Sequence, residues 1–213
     1  MSIPFVFVHG WASNSTIWQG VIEHLKGAPC HTIDLGFIKG GMTSWEDLTK
    51  PAIYVGHSLG ALWLLHQWQR RKERPNPEGF IAVSGFGNFM NFTEQRTIKL
   101  MQRGLLKNPE AQISHFWRQA GLKATPVPDT LNKEQLSEGL DWLQNWDVGS
   151  TKTKLNCPTF IIASQVDKIV PPAASEAEWQ GNTITWHPAA PHMLPATNPA
   201  WLAETILKFK AQI

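Results

Sequence analysis

The sequence predicts an α/β fold: a mostly parallel sheet flanked by helices, with an inserted helical cap. Short apolar runs without polar alternation recur along the chain, as expected for strands that are buried on both faces of a parallel sheet. Segments with helical periodicity alternate with these runs, which is typical of sheets covered by helices. Because the pattern becomes purely helical between residues 86 and 147, we expect residues 1–85 and 148–213 to form the core and residues 86–147 to form the cap.

Six strands are predicted from the apolar runs. They lie at residues 5–8, 30–35, 51–55, 80–83, 158–163 and 183–186. Asn14 or Ser15 is expected to cap the first helix, and a second helix is expected to begin at Ser58. Residues 36–50 are predicted to form a loop with at most one helical turn, near Trp45.

Start signals also place helices in the cap and at the C-terminal end. Asn91 with Glu94 resembles a capping box, and Asn132 with Gln135 indicates another helix start. Pro199 stands where a first helical residue is expected, so a final helix is predicted from there to the end of the sequence.

The composition limits the functional classes. The 213 residues are 42% hydrophobic and 17% charged, as in a globular domain with a substantial core. A net charge of +2 without a binding motif argues against nucleic acid as a partner. The apolar runs are too short to span a bilayer, and the first residues do not resemble a signal peptide. No Cys/His spacing resembles a zinc site. We therefore expect a cytoplasmic monomer without membrane contact, metal or cofactor.

The segment Gly56-His57-Ser58-Leu59-Gly60 fits the pattern Gly-x-Ser-x-Gly. It lies between a predicted strand and a predicted helix, the context of a nucleophile elbow that lifts a serine Oγ above a sheet. The two glycines suit a turn in which backbone packs on backbone without room for a Cβ. On its own the pattern also fits an ordinary loop serine, so the rest of the chain has to decide.

Other reactive side chains follow predicted strands in the same way. Asp167 and His192 each come after a strand, and His9-Gly10-Trp11 follows the first one. The carboxyl ends of parallel strands meet at one edge of a sheet, where ligands bind. The order Ser, Asp, His is the chain order of a known class of serine hydrolases. The conjunction predicts serine-hydrolase chemistry at that edge.

This chemistry assigns a role to each residue. Serine is a weak nucleophile until a base accepts its proton, and His192 is the predicted base for Ser58. Asp167 is predicted to hold the imidazole in the correct tautomer. The oxyanion of the tetrahedral intermediate needs two donors, and the backbone N–H groups of Trp11 and Leu59 are the candidates.

Several alternatives remain open at this point. His187 also follows the last predicted strand and could replace His192 as the base, while Asp34 or Asp147 could replace Asp167. His57 adjoins the nucleophile and is expected to be structural. His9 is expected to support the oxyanion loop.

With these residues in view, the chain resembles the α/β-hydrolase superfamily over nearly its full length. Within it, the chain is similar to the pimeloyl-acyl carrier protein methyl ester esterases of biotin synthesis. The matching stretches are Val8-His9-Gly10-Trp11 with Trp18, Gly56-His57-Ser58-Leu59-Gly60, Trp146-Asp147, Cys157-Pro158-Thr159, Asp167 with Ile169-Val170-Pro171, Pro191-His192 with Pro195, and Asn198-Pro199. The resemblance implies a cofactor-free ester hydrolase in which Trp11 and Leu59 help to bind the substrate.

Two features of the cap bear on the substrate. Cations recur at helical spacing opposite an apolar face, at Arg96, Lys99, Arg103 and Lys107. Because acyl carrier proteins are acidic, this row could dock a substrate carried on one, although a solvated helix face would have the same pattern. Trp11, Trp142 and Trp146 are candidate walls for an acyl chain, with core packing as the equal alternative.

Other functions fit the same motifs. A general short-chain esterase, a thioesterase or a lactonase would use the same three residues. A binding protein could also retain the fold and pocket without catalysis, since a fold does not fix a function.

Overall fold

A computed structural model describes residues 3–38, 51–70, 77–122, 126–149 and 155–213. The strands are β1 Phe5–Val8, β2 Cys30–Ile33, β3 Ile53–His57, β4 Gly79–Val83, β5 Thr159–Ser164 and β6 Ile184–His187. The helices are α1 Gln19–His24, α2 Leu59–Arg70, α3 Gln95–Lys107, α4 Pro109–Ala120, α5 Lys133–Asn145, α6 Pro172–Glu178, α7 Leu194–Thr197 and α8 Pro199–Lys210. Short 3-10 helices span Ser15–Trp18 and Phe89–Asn91.

The six strands form one sheet in the order β2-β1-β3-β4-β5-β6, and every neighbouring pair is parallel. The predicted fold class is therefore confirmed. Because all strands run in the same direction, the ends of β1, β3 and β5 lie at one edge of the sheet. The residues that follow these strands are brought together there.

The sheet is buried on both faces, which explains the apolar runs without alternation. In β1, Phe5 and Phe7 pack into a cluster with α1 and α8. Val6 and Val8 point to the other face and pack into a larger cluster with α2, α6 and the helices of residues 86–147. Successive side chains thus enter opposite layers, as the two-residue period of a strand requires.

Three predicted helix starts, at Asn14, Asn132 and Pro199, are confirmed, and the one at Asn91 is not. Asn14 caps the first 3-10 helix and Asn132 caps α5, each by accepting a backbone N–H. The predicted capping box at Asn91 is wrong, because α3 begins at Gln95 without a side-chain cap. The Asn91 amide instead donates to the carboxylate of Glu178, at 2.6 Å. The Asn91 side chain thus bonds to a residue distant in the sequence and does not form the helix cap that the local pattern predicts.

The strand bounds also differ slightly from the prediction. β2 ends at Ile33, two residues early, and β6 extends to His187. The helical turn expected near Trp45 lies outside the described residues. Within the described ranges, no helix is long and apolar enough to cross a membrane.

Three helices, α3, α4 and α5, lie between β4 and β5 in the chain. α3 packs against both α4 and α5. Ile98 and Leu105 of α3 are buried, while its opposite side faces solvent. These helices cover the sheet edge at which β1, β3 and β5 end, because members of all three line a cavity there together with Ser58.

Candidate active site

Ser58 occupies a sharp turn between β3 and α2. Its φ of +53° lies in the left-handed region, which is uncommon for a residue with a side chain. A Cβ on Gly56 would lie 2.5 Å from the Cα of Ala61, and one on Gly60 would lie 2.4 Å from the backbone oxygen of Val8. Both contacts are shorter than real Cβ atoms allow, so this turn requires glycine on each side of the serine.

Ser58, His192 and Asp167 form a continuous hydrogen-bonded chain. The Nε2 atom of His192 lies 3.0 Å from the Oγ of Ser58, and its Nδ1 atom lies 2.8 Å from the Oδ2 of Asp167. A carboxylate only accepts, so the Nδ1–H donates to Asp167 and Nε2 is left free to accept the serine proton. All three residues are buried. The geometry is that of a nucleophile, a general base and an orienting acid.

Asp167 is held as a carboxylate by its surroundings. Its Oδ1 accepts the backbone N–H groups of Ile169 at 2.8 Å and Val170 at 2.9 Å. Burial alone would raise the pKa of Asp167, but the neighbouring His192 and these hydrogen bonds outweigh burial and lower the pKa below its usual value. Asp167 therefore remains an acceptor for the imidazole N–H at neutral pH.

His57 contacts His192 and not the hydroxyl of Ser58. Its Nε2 lies 3.0 Å from the backbone oxygen of His192, so the Nε2–H donates to that oxygen. Burial, together with the neighbouring His192, lowers the pKa of His57 to about 3. The ring is thus neutral at physiological pH, and it holds the backbone of His192.

The loop after β1, residues 9–12, lies against Ser58; we call it the oxyanion loop, because it carries the predicted donor Trp11. A Cβ on Gly10 would lie 3.1 Å from the Cβ of Ser58, so the backbone passes directly beside the serine. The Nδ1–H of His9 donates to the backbone oxygen of Gly10 at 2.9 Å. This oxygen belongs to the same peptide group as the N–H of Trp11. His9 therefore fixes the peptide whose N–H is the first candidate oxyanion donor.

Asp34 supports the outer side of this loop. Its carboxylate accepts the backbone N–H groups of Ser15 and Gly36 at 2.9 and 3.0 Å and lies 3.2 Å from Nε2 of His9. Burial would raise the pKa of Asp34, but His9 and these hydrogen bonds lower it overall. The structure thus places Asp34 at His9 and not at His192.

The other alternative residues also lie elsewhere. His187 uses its Nδ1 to accept the backbone N–H groups of Ala189 and Ala190, at 3.1 and 2.7 Å. Asp147 is exposed and accepts from the amide of Asn88 at 3.1 Å. The hydrogen bonds of Ser58 and of His192 are instead made within the set of Ser58, His192 and Asp167, so the geometry favours His192 and Asp167.

A cavity of about 470 Å³ opens above Ser58. Its lining is mainly apolar, with polar groups at Thr93, Glu94, Thr97, Gln119 and Lys168. The apolar lining residues are Trp11, Phe86, Phe89, Phe92, Met101, Phe116, Leu143, Ile169 and Pro171. A largely apolar pocket with few polar groups at the reacting atom suits an acyl chain.

The structure separates the three tryptophans that the sequence suggested as substrate walls. Trp11 lines the cavity, and its indole N–H donates to the backbone oxygen of Leu136 in α5, at 2.9 Å. Trp142 and Trp146 stack on each other with ring centroids 4.8 Å apart, and Trp146 also stacks on His66 at 3.6 Å. Within the described part of the chain they are packing residues and do not line this cavity.

The cations predicted on one helix face are exposed on α3. They are Arg96, Lys99, Arg103 and Lys107. Leu100 and Leu106 lie among them and are 53% and 89% exposed. We call these six residues the α3 outer face.

Much of the cavity wall is not predicted by the sequence patterns. Phe86, Phe89 and Phe92 lie in contact, with neighbouring ring centroids 5.1 to 5.5 Å apart. Their three-residue spacing just after a strand was the available signal. Among the described residues, no group of three or more His, Cys, Asp or Glu side chains is placed to bind a metal ion.

Comparisons with known proteins show the family and the fold. Residues 5–205 match the alpha/beta hydrolase family. A pimeloyl-[acyl-carrier protein] methyl ester esterase of Xylella fastidiosa (strain M12) is 27% identical over 209 residues, covering 81% of this chain and 79% of the relative. The enzyme of the same name from Proteus mirabilis is 25% identical, covering 95% and 90%.

A solved structure shows the same fold. The bromoperoxidase of Bacillus anthracis superposes with a TM-score of 0.82 at 17% identity, over 98% of this chain and 92% of the other. At that identity the likeness concerns the fold alone. The family match covers nearly the whole length, including the elbow, Asp167 and His192, and the chain belongs to the alpha/beta hydrolase family.

Proposed function

We propose that this protein is a serine carboxylesterase. The observation that carries the proposal is the hydrogen-bonded chain from Ser58 through His192 to Asp167, set at the base of a mainly apolar cavity. An ester carbonyl placed in the cavity would lie beside the serine hydroxyl, with its acyl part against aromatic side chains. Each reacting group is supplied by the chain itself.

The reaction has two halves. In the first, Nε2 of His192 takes the proton of Ser58 as Oγ attacks the ester carbonyl, and the developing oxyanion is held by the N–H groups of Trp11 and Leu59. The imidazolium then protonates the leaving alcohol. In the second half, His192 takes a proton from water, the resulting hydroxide attacks the acyl-enzyme, and the acid leaves while Ser58 regains its proton.

We further propose that the substrate is the methyl ester of pimeloyl-acyl carrier protein. Three observations support this choice. The family relatives at 25 to 27% identity carry that activity in their names. The cavity has the volume and the apolar lining for a medium-length acyl chain. Thr97 and Met101 of α3 line the cavity, and the α3 outer face of the same helix presents four exposed cations, as docking of an acidic carrier would require.

The test is hydrolysis of the methyl ester of a seven-carbon dicarboxylic acyl group carried on acyl carrier protein. The free carrier-bound acid is resolved from the ester by mass spectrometry. The wild type is expected to release the acid and the Ser58→Ala variant to release none. Hydrolysis of p-nitrophenyl butyrate without hydrolysis of the carrier ester would overturn the proposed substrate but leave the proposed esterase activity standing. Failure on both would overturn the proposed function.

A further inference from the structure

Helix α4 contacts both loops that meet at Ser58. One is the oxyanion loop, residues 9–12. The other is residues 188–193, which we call the histidine loop because it carries His192. The two contacts come from neighbouring positions near the end of α4, so one rigid helix connects them.

The contact with the oxyanion loop is made by Trp117. Its indole N–H donates to the backbone oxygen of Ala12 at 2.8 Å. Trp117 is buried, so the bond is shielded from water. The preceding residue, Phe116, forms an edge-to-face pair with Trp11, with ring centroids 4.9 Å apart. α4 thus holds both the side chain of Trp11 and the backbone that follows it.

The contact with the histidine loop is made at the C-terminal end of the same helix. The backbone N–H of Met193 donates to the backbone oxygen of Ala120 at 3.0 Å. Gly121, with a φ of +99°, ends the helix against Pro191, and a Cβ there would lie 2.1 Å from the Cβ of Pro191. These two contacts flank His192 in the sequence.

The conformation of the oxyanion loop depends on support of this kind. Ala12 has a φ of +55°, which is unfavourable for a residue with a Cβ and persists only where its surroundings fix it. The bond from Trp117 fixes the carbonyl of that residue. If the bond is lost, the loop can relax toward an ordinary conformation, and the peptide between Gly10 and Trp11 then shifts relative to Ser58.

We propose that α4 positions the oxyanion hole relative to His192, and that Trp117 is the positioning residue. This inference rests on the proposed serine-esterase function. Trp117 donates to Ala12 and not to substrate, and its effect on the reaction passes through the backbone of the oxyanion loop. The helical segment is then part of the catalytic framework as well as a wall of the cavity.

The experiment compares Trp117→Phe with Trp117→His. Phenylalanine removes the N–H donor and keeps a large ring. The imidazole ring of histidine superposes on the five-membered ring of indole, so its Nε2–H can restore the bond although more apolar surface is lost. Trp179→Phe is the matched control, because its indole N–H also donates to a backbone oxygen, that of Gly85, at 2.8 Å.

The readout is the ratio of kcat/KM for an ester to that for the matching thionoester. A C=S group fits an oxyanion hole poorly, so the ratio measures the contribution of the hole and not the amount of folded protein. Trp117→Phe is expected to lower this ratio about tenfold and to lower kcat more than it changes KM, a smaller effect than the 10²-fold or greater loss from deleting a donor. Trp117→His and Trp179→Phe are expected to keep the ratio within about twofold of the wild type.

The outcomes separate the two claims. The positioning role would be overturned by an unchanged ratio in Trp117→Phe, or by a fall in Trp117→His and Trp179→Phe as large as that in Trp117→Phe. In either case Ser58-dependent hydrolysis by the wild type would leave the proposed function standing. If Trp117→Phe does not fold, the ratio in Trp117→His decides, because a fall of tenfold with the donor restored would contradict the inference. Absence of Ser58-dependent hydrolysis by the wild type would overturn the proposed function and the inference with it.

Discussion

The Nε2 atom of His57 lies 3.0 Å from the backbone oxygen of His192, so the residue before Ser58 holds the backbone of the histidine that is hydrogen-bonded to Ser58. The two histidines are 135 positions apart in the chain, and their rings are 4.9 Å apart. The elbow and the histidine loop are therefore joined directly, in addition to the hydrogen bond between His192 and Ser58.

Replacing His57 by Phe is expected to lower kcat about tenfold, because the backbone oxygen of His192 loses its buried donor and the imidazole loses its fixed position. His57→Gln can donate from a similar position and should recover most of the activity. Steady-state kinetics with p-nitrophenyl butyrate measure kcat for both variants. Equal activity of the Phe and Gln variants would contradict a role for the hydrogen bond.

His57 also predicts how stability depends on pH. Burial lowers the pKa of His57 to about 3 in the folded state, whereas the unfolded side chain has its ordinary pKa of about 6.5. Below pH 6.5 the unfolded chain therefore binds a proton that the folded chain does not. Stability is full above pH 6.5 and falls as the pH drops, by about 2 to 3 kcal/mol between pH 6.5 and 4.5.

Urea unfolding of the wild type and His57→Gln at pH 7 and pH 4.5 checks this. Glutamine does not titrate, so the variant should lose less stability than the wild type over this interval, by about 2 kcal/mol. All other groups are common to both proteins and cancel in the comparison. Identical losses in the two proteins would show that His57 is not buried as a neutral ring.

Asp167→Asn is expected to lower kcat by about 10⁴, because the amide no longer selects the histidine tautomer with a free Nε2. The backbone N–H groups of Ile169 and Val170 can still donate to the amide oxygen, so the fold should be retained. Asp147→Asn is the control and should have wild-type activity. A large loss of activity in Asp147→Asn with little loss in Asp167→Asn would contradict the assignment of Asp167 as the residue that orients His192.

The α3 outer face gives a separate prediction about the carrier. Charge reversal at Arg103 and Lys107 should lower kcat/KM for the carrier-bound methyl ester by about tenfold or more at low salt, while hydrolysis of p-nitrophenyl butyrate stays unchanged. The matched control reverses Lys26 and Lys208, which lie near Glu204 on the opposite face of the sheet. An equal loss on both esters, or an equal loss in the control, would contradict carrier docking at α3.

The sequence was informative wherever the relevant contacts are local or follow from strand direction. The glycines around Ser58 mark a turn that no other residue fits. Asp167 and His192 follow strands that all run in the same direction, so a correct strand pattern already brings them to the edge where Ser58 lies.

The features that could not be predicted from the sequence depend on contacts between residues distant in the chain. Asn91 has a capping pattern, but Glu178 takes its amide. Trp142 and Trp146 were plausible pocket walls, but His66 of α2 provides a stacking partner away from the cavity. The bond from Trp117 to Ala12 spans 105 positions. No periodicity or motif encodes such pairs, because they are set by how α4 and α5 pack on the sheet.

Labelling with a fluorophosphonate probe tests the central claim most directly. The probe phosphonylates a serine only where a base activates it and donors hold the developing oxyanion. Peptide mass spectrometry of the labelled wild type should find one adduct, on Ser58, with labelling abolished in Ser58→Ala and strongly slowed in His192→Ala. No adduct on the folded wild type, or an adduct on another serine that persists in Ser58→Ala, would contradict the assignment of Ser58 as the nucleophile.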